Sequence, residues 1–207
     1  TFLGPLWFIF QPLLLTGVFS AIFGRIGAIP TDGLPPALFY LCGLVTWGYF
    51  VQSFEAITHA LLGNAALFRK VYFPRLLIPL SVVVSKLLVF ATQFGVFIAS
   101  LAYYKFFTAD AGNFSPNYLW LALTPALLLI AALVSLGAGL WFAALTVKYR
   151  DFHHITGFFV QLWFFATPIV YPASHIPDHL MFIYRINPMA LVVDGYRMAF
   201  LGQGILN

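Results

Sequence analysis

Apolar residues in this 207-residue chain come in long blocks, and polar, proline and glycine positions gather in the short intervals between them. A helix needs about 20 apolar residues to cross a hydrocarbon core of roughly 30 Å, because a backbone group bare to lipid has no partner. Five blocks reach that length, at about residues 2–23, 37–62, 79–104, 119–147 and 154–171. The breakers lie between them: "GRIGAIPTDGLPP", "RKVYFPRLLIP", "KFFTADAGNFSPN" and "KYRD". After the fifth block the pattern changes. Two apolar pieces of about ten to fourteen residues, split by Asn187-Pro188, are each too short to cross and suit a re-entrant helical hairpin over about 172–204. Pro177 and Pro188 each fit a first helical turn, and Gly202 or Gly204 fits the close of the second helix. A loosely structured loop is the other reading of so short a signal. With no internal repeat and no shift in composition, the pattern predicts one all-α integral membrane domain over residues 1–207.

Composition excludes a water-soluble globule, since 62% hydrophobic and 8% charged residues leave too little polar surface to cover one. The first block is too long for a signal-peptide core and has no small-x-small cleavage site before Arg25, so it reads as a true span. The single cysteine, Cys42, lies inside an apolar block and reads as a packing residue. The net charge of +4 encodes orientation rather than a nucleic-acid partner. Alternating sides bring Arg69, Lys70, Arg75, Lys148 and Arg150 together, with Lys86 near their edge. The opposite face holds Arg25, Lys105, Arg185 and Arg197, balanced by Asp32, Asp110, Asp178 and Asp194. Basic residues in short loops stay in the cytosol, so the Thr1 end is expected to be cytosolic and the Asn207 end external, which makes the hairpin external too.

Between Gly63 and Pro79 the chain reverses. Asn64 fits a helix cap and Pro74 pushes Phe73 out of helical geometry, which predicts a short helix at about 64–73. Leu67, Phe68, Val71 and Tyr72 fall on one side of it, while Arg69 and Lys70 fall elsewhere. Three readings fit: a topogenic loop touching anionic headgroups of membrane lipids, a membrane-surface helix, and a knob that docks on a soluble partner.

No G-x-x-x-x-G-K-[ST], G-x-S-x-G or H-E-x-x-H pattern and no paired loop carboxylates occur, so no catalytic residue, cofactor or metal ligand is expected in this chain. In "HIPDH", His175 and His179 have ligand-like spacing, but a helix starting at Pro177 takes His175 off the shared face. His153 and His154 sit where the chain re-enters the membrane. Glu55 and Lys86 both lie about 12 Å deep on neighbouring antiparallel spans. A lone charge there costs on the order of 3 kcal/mol, so a Glu55–Lys86 contact is predicted, with Lys86 snorkelling alone as the alternative. Gln11, Gln52, Gln93 and Gln161 inside the spans read first as interhelical glue. Gln11 also shares a stripe with Trp7 and Phe8, and Gln161 with Phe158 and Phe165. Flat rings beside polar groups suit a passage for sugars. Arg150-Asp151 either pair locally or touch a partner.

Taken together, "FLGPLWFIFQPLLLTGVFSAIFG", "NAALFRKVYFPRLLIPL", "YRDF" and "FFATPIVYP…INPMALVVDGYR" resemble the membrane subunit of type-2 ABC exporters, above all those of O-antigen, capsular polysaccharide or teichoic acid. The resemblance implies that the 64–73 segment is a coupling helix seated on an ATP-binding subunit, with Arg150 and Asp151 as a second contact. It implies a homodimer whose channel is lined by spans one and five, hence by Trp7, Phe8, Gln11, Phe158, Gln161 and Phe165. The substrate is then a lipid-linked polysaccharide, with ATP and Mg held by the partner subunit, in the bacterial cytoplasmic membrane. The family also has an amphipathic gate helix at its start and a sixth span at its end, so the sequence is expected to be a piece of a longer chain. An ABC-type exporter of a smaller lipid or drug, using the same machinery, is the alternative reading. An intramembrane lipid-glycan transferase would need converging acids or histidines, and an ion-coupled transporter would need inverted repeats with broken helices; neither pattern is evident.

Overall fold

A computed structural model describes residues 3–63, 74–107, 116–149 and 151–204. Helix α1, Leu3–Phe19, continues into a π-helical turn, Ser20–Ile26. Beyond it the chain turns through Ala28, Asp32 and Gly33, all at positive φ, and the Thr31 hydroxyl donates to the Leu34 carbonyl at 2.6 Å. Helix α2, Pro36–Gly63, opens on a proline whose missing N–H costs nothing in a first turn. Helix α3 spans Leu77–Phe107 and α4 spans Tyr118–Lys148. The Asn117 side chain caps α4, accepting from the N–H groups of Leu119 at 3.1 Å and Trp120 at 3.4 Å. Pro125 inside α4 cannot donate to the Leu121 carbonyl, and the Thr124 hydroxyl donates to it instead.

These four helices are long and apolar enough to cross a membrane. The fifth, α5, Phe152–Ala166, has 15 residues and so rises about 22 Å. The block expected to span 154–171 therefore starts earlier as a helix and stops sooner. The cause is Pro168, which holds Thr167 in extended geometry at ψ 138°. Residues 167–170 are nonetheless buried, so the chain turns inside the protein rather than at its surface.

The hairpin region folds as two single 3₁₀ turns, Ala173–His175 and Asp178–Leu180, then α6, Met181–Ile186, and α7, Pro188–Leu201. Pro177 thus precedes a 3₁₀ turn rather than opening an α-helix. Pro188 does open one, and Gly202, at φ 72°, closes it in the left-handed region. Helix α7 is buried along almost its whole length against α4 and α2.

Helix α2 is the central post, with 72% of its span buried against 11% for α1, 22% for α3 and 17% for α4. It packs on α4, α3, α7, α1 and α5. Its contact with α4 uses small residues: Ala131, Ser135, Gly139 and Ala143 recur every four positions and are buried. A Cβ on Gly139 would lie 2.8 Å from Ile57 Cγ2 and 3.3 Å from the Phe54 carbonyl oxygen, so the two backbones can approach this closely only with glycine there. Rings hold α5 against the same post. Phe50 of α2 meets Trp163 edge-on with centroids 4.8 Å apart, and on the neighbouring α4 Phe142 meets Phe159 at 4.7 Å. The contact of Ile57 with Gly139 also brings the C-terminal ends of α2 and α4 to the same end of the bundle.

Substituting Gly139→Ala is expected to cost about 1–3 kcal/mol through overpacking. Thermal unfolding in detergent measures it, and a second substitution, Ile57→Ala, is expected to recover most of the loss by clearing the space.

Candidate functional site

Helix α1 touches the rest of the chain along one narrow stripe. Pro12 and Thr16 are buried, and Phe19, Ser20 and Phe23 are half-buried at the three- and four-residue spacing of one helix face. At its far end the Phe19 ring meets Phe164 of α5 at 5.9 Å and Tyr40 of α2 at 6.1 Å. Helices α1 and α5 therefore flank α2 and meet at that end.

All six of the residues selected as channel-lining face outward. Trp7 is 57% exposed, Phe158 62% and Phe165 56%, and Phe8, Gln11 and Gln161 are exposed as well. Counted along the helices from the Phe19–Phe164 contact, Gln161 lies about 4 Å away, Phe158 about 9 Å, Gln11 about 12 Å and Trp7 about 18 Å. They form a staggered ladder, not a ring at one depth. Pro12 adds a further polar point, since it has no N–H to give the Phe8 carbonyl.

The other two glutamines behave differently. Gln93 is 3% exposed, and a Cβ on Gly48 would sit 3.5 Å from its Oε1 and 3.8 Å from Gln52 Nε2. Those two side chains lie beside Gly48 at the α2–α3 contact.

The predicted Glu55–Lys86 contact is not made. The approach of unlike groups that the structure does show is His175 Nδ1 beside Asp32 Oδ1, at 4.0 Å. The Tyr49–Phe90 ring contact, 5.4 Å, does set α2 and α3 so that Glu55 and Lys86 come to similar heights. Direction separates them: Phe54, Ile57 and Thr58 take the buried face of α2, which leaves Glu55 exposed, while Lys86 is half-buried on α3. Of the expected coupling residues, Leu67, Phe68, Arg69, Lys70, Val71, Tyr72 and Arg150 lie outside the described residues. Asp151 is exposed immediately before α5.

A polar knot ties the hairpin to the bundle at the other end. Arg197, 2% exposed, donates to the carbonyls of Pro168 and Ile169, the second at 2.9 Å, and stacks its guanidinium over the Phe39 ring at 3.6 Å. Asn187, 7% exposed, accepts from Trp163 Nε1 at 2.9 Å and from the Met189 N–H at 3.0 Å. Its amide donates to the Ala166 carbonyl at 3.1 Å and to Thr167 Oγ1 at 2.9 Å. The Tyr184 hydroxyl donates to Asp194 at 3.0 Å, and burial together with the Asp194 charge holds its pKa above the usual tyrosine value, which keeps the donor proton in place. Gly43 leaves room for all this, since a Cβ there would meet Arg197 Nη2 at 3.1 Å.

Comparison with known proteins decides the family. The ABC-2 type transporter family matches residues 1–201. This chain belongs to that family. An O-antigen export system permease protein, RfbA, of Klebsiella pneumoniae is 29% identical over 204 residues, 99% of this chain and 74% of that protein. The RfbA permease of Myxococcus xanthus is 30% identical over 204 residues, 97% of this chain and 74% of that one. The polysialic acid transport protein KpsM of Escherichia coli is 26% identical over 213 residues, 98% and 77% respectively.

In this ABC-2 type transporter the knot holds inside the protein two charges that the alternation of loops predicts on the external face. Arg197 and Asp194 are buried, one helical turn apart in α7. Opposite charges three positions apart inside an apolar 14-residue piece are the signal that points to it, because neither charge is tolerable there without a partner. Replacing Asn187 by Ala is expected to destabilise the transporter by about 1–3 kcal/mol, since it leaves the Trp163 N–H and Ala166 carbonyl unpaired in the interior. Thermal unfolding followed by near-ultraviolet circular dichroism reports this through the Trp163 environment.

Proposed function

We propose that this ABC-2 type transporter is the permease of a polysaccharide exporter. Two copies form a homodimer in the bacterial cytoplasmic membrane, and a separate ATP-binding subunit, which holds ATP and Mg, drives a lipid-linked glycan from cytosol to exterior. The observation that carries this reading is the agreement between outward-facing Gln11 and Gln161 and relatives named for O-antigen and polysialic acid export along nearly the whole chain. A glutamine turned from its own bundle toward lipid leaves its amide unpaired, at a cost of a few kcal/mol. A second copy with a water-filled passage between them removes that cost. Exposed rings beside the amides, Trp7 and Phe8 on α1 and Phe158 and Phe165 on α5, offer sugar C–H faces something to stack on.

Orientation follows charge. With Arg197 buried, Arg25, Lys105 and Arg185 remain at the Asp32 end, against Arg69, Lys70, Arg75, Lys86, Lys148 and Arg150 at the other, which is the cytosolic end in this proposal. The motor then seats on the 64–73 segment through Phe68 and Tyr72, with Asp151 beside it.

Deleting the gene in its source cell is expected to strip the surface of one polysaccharide while its lipid-linked form accumulates inside; unchanged surface glycan defeats the proposal. In a background free of other cysteines, Phe68→Cys is expected to form a disulfide under mild oxidation with a single cysteine introduced on the docking face of the ATP-binding subunit, and a cysteine placed at Ala28 is not.

A further inference from the structure

A cleft of about 420 Å³ opens where α5 ends, between that helix, the following turn, the two 3₁₀ turns and α6. Phe165, Tyr171, His175, Pro177 and Tyr184 line it. The Tyr171 hydroxyl donates to the Phe165 carbonyl at 3.1 Å, which fixes that ring, and the Tyr184 hydroxyl is turned away to Asp194. The rings share the walls with the aliphatic side chains of Ile176, Leu180 and Ile183.

A polar edge adjoins them through His175. The Ser174 hydroxyl donates to both oxygens of Asp32, at 2.9 and 3.1 Å, and lies 3.1 Å from His175 Nδ1. Asp32 comes from the α1–α2 loop, where it is held at φ 51°, so two distant parts of the chain converge here. A hydrolytic triad is excluded by the order of the groups. The serine proton goes to the carboxylate, and the imidazole sits beside the pair instead of between its members, so nothing draws a proton from serine toward histidine. What remains is a set of fixed acceptors. Asp32 has lone pairs beyond those taken by Ser174, and His175, 55% exposed, presents Nε2, which accepts in the tautomer that keeps the proton on Nδ1.

Rings on one side and a carboxylate with an imidazole on the other match a sugar ring, which has a C–H face to stack and vicinal hydroxyls to donate. An acyl chain uses the walls and leaves the edge idle. We propose that this cleft is an exit subsite for the exported glycan, which stacks one or two sugar units on Phe165 and Tyr171 while Asp32 and His175 accept their hydroxyl protons. This deepens the polysaccharide reading above and rests on it.

The test uses the full-length permease with its ATP-binding subunit in lipid nanodiscs. The probe is oligosaccharide cut from the source cell's own surface polysaccharide and freed of lipid, with binding read by saturation-transfer NMR. Wild type is expected to bind, His175→Ala and Asp32→Asn to bind about tenfold more weakly, Phe165→Ala to do the same, and Phe165→Tyr to stay close to wild type. His175 and Asp32 lie away from the outward ladder on α1 and α5, so their effect reports the cleft and not that ladder. Gel filtration confirms that each variant complex is intact. Equal binding by wild type, His175→Ala and Asp32→Asn overturns the subsite, as does no binding by wild type, and both leave export standing. Surface glycan that persists without the gene overturns export and the subsite with it.

Discussion

A turn buried inside an apolar bundle needs hydrogen-bond donors from somewhere, and that constraint organises this protein. Helix α5 stops at Ala166 because Pro168 forbids another helical turn, which leaves the carbonyls of Ala166, Pro168 and Ile169 without helical partners. Water is excluded there, since residues 167–170 are buried. Asn187 answers the first carbonyl and Arg197 the other two. An uncompensated guanidinium costs several kcal/mol to bury, so this arrangement holds only because Phe39, Asp194 and two carbonyls surround the charge. The same side chains fix where α7 lies against α2.

Polar groups elsewhere divide into those packed inside the bundle and those turned outward. Gln93 and Gln52 meet at Gly48, and the hydroxyls of Thr58, Thr146 and Thr167 fold back onto the carbonyls of their own helices four residues before. Gln11 and Gln161 point away on α1 and α5. Those are the helices least tied to the post, α1 by a single stripe and α5 by a ring cluster around Trp163. Weak attachment and outward polarity thus coincide on the same two elements.

Much of this was legible in the sequence, and particular residues say why. Block length located α2, α3 and α4 to within three residues at each end, because lipid thickness sets helix length whatever the packing. Asn187-Pro188 and Gly202 announced α7, because caps act locally. Glu55 and Lys86 show where the same reading stops. Counting residues fixed their height, but which way each side chain turns depends on which face α2 buries, and that is decided by α4 and α7 rather than by neighbours in sequence. Arg197 was hidden for a related reason. A charge in a short segment looks exposed until long-range carbonyls supply its partners.

The two locks on α2 carry a mechanical consequence. Near one end Ile57 is wedged against Gly139, and near the other Phe39 lies under Arg197 with Gly43 alongside. These contacts are about 27 Å apart along a helix of 28 residues with no proline after its first turn. A helix clamped at two points and buried over most of its length bends little, because close-packed interiors transmit strain instead of absorbing it. Contacts at both ends therefore join α2, α4 and α7 into one packed unit. Helices α1 and α5 share fewer contacts with that unit than α3 does, and the ladder of rings and amides is on them.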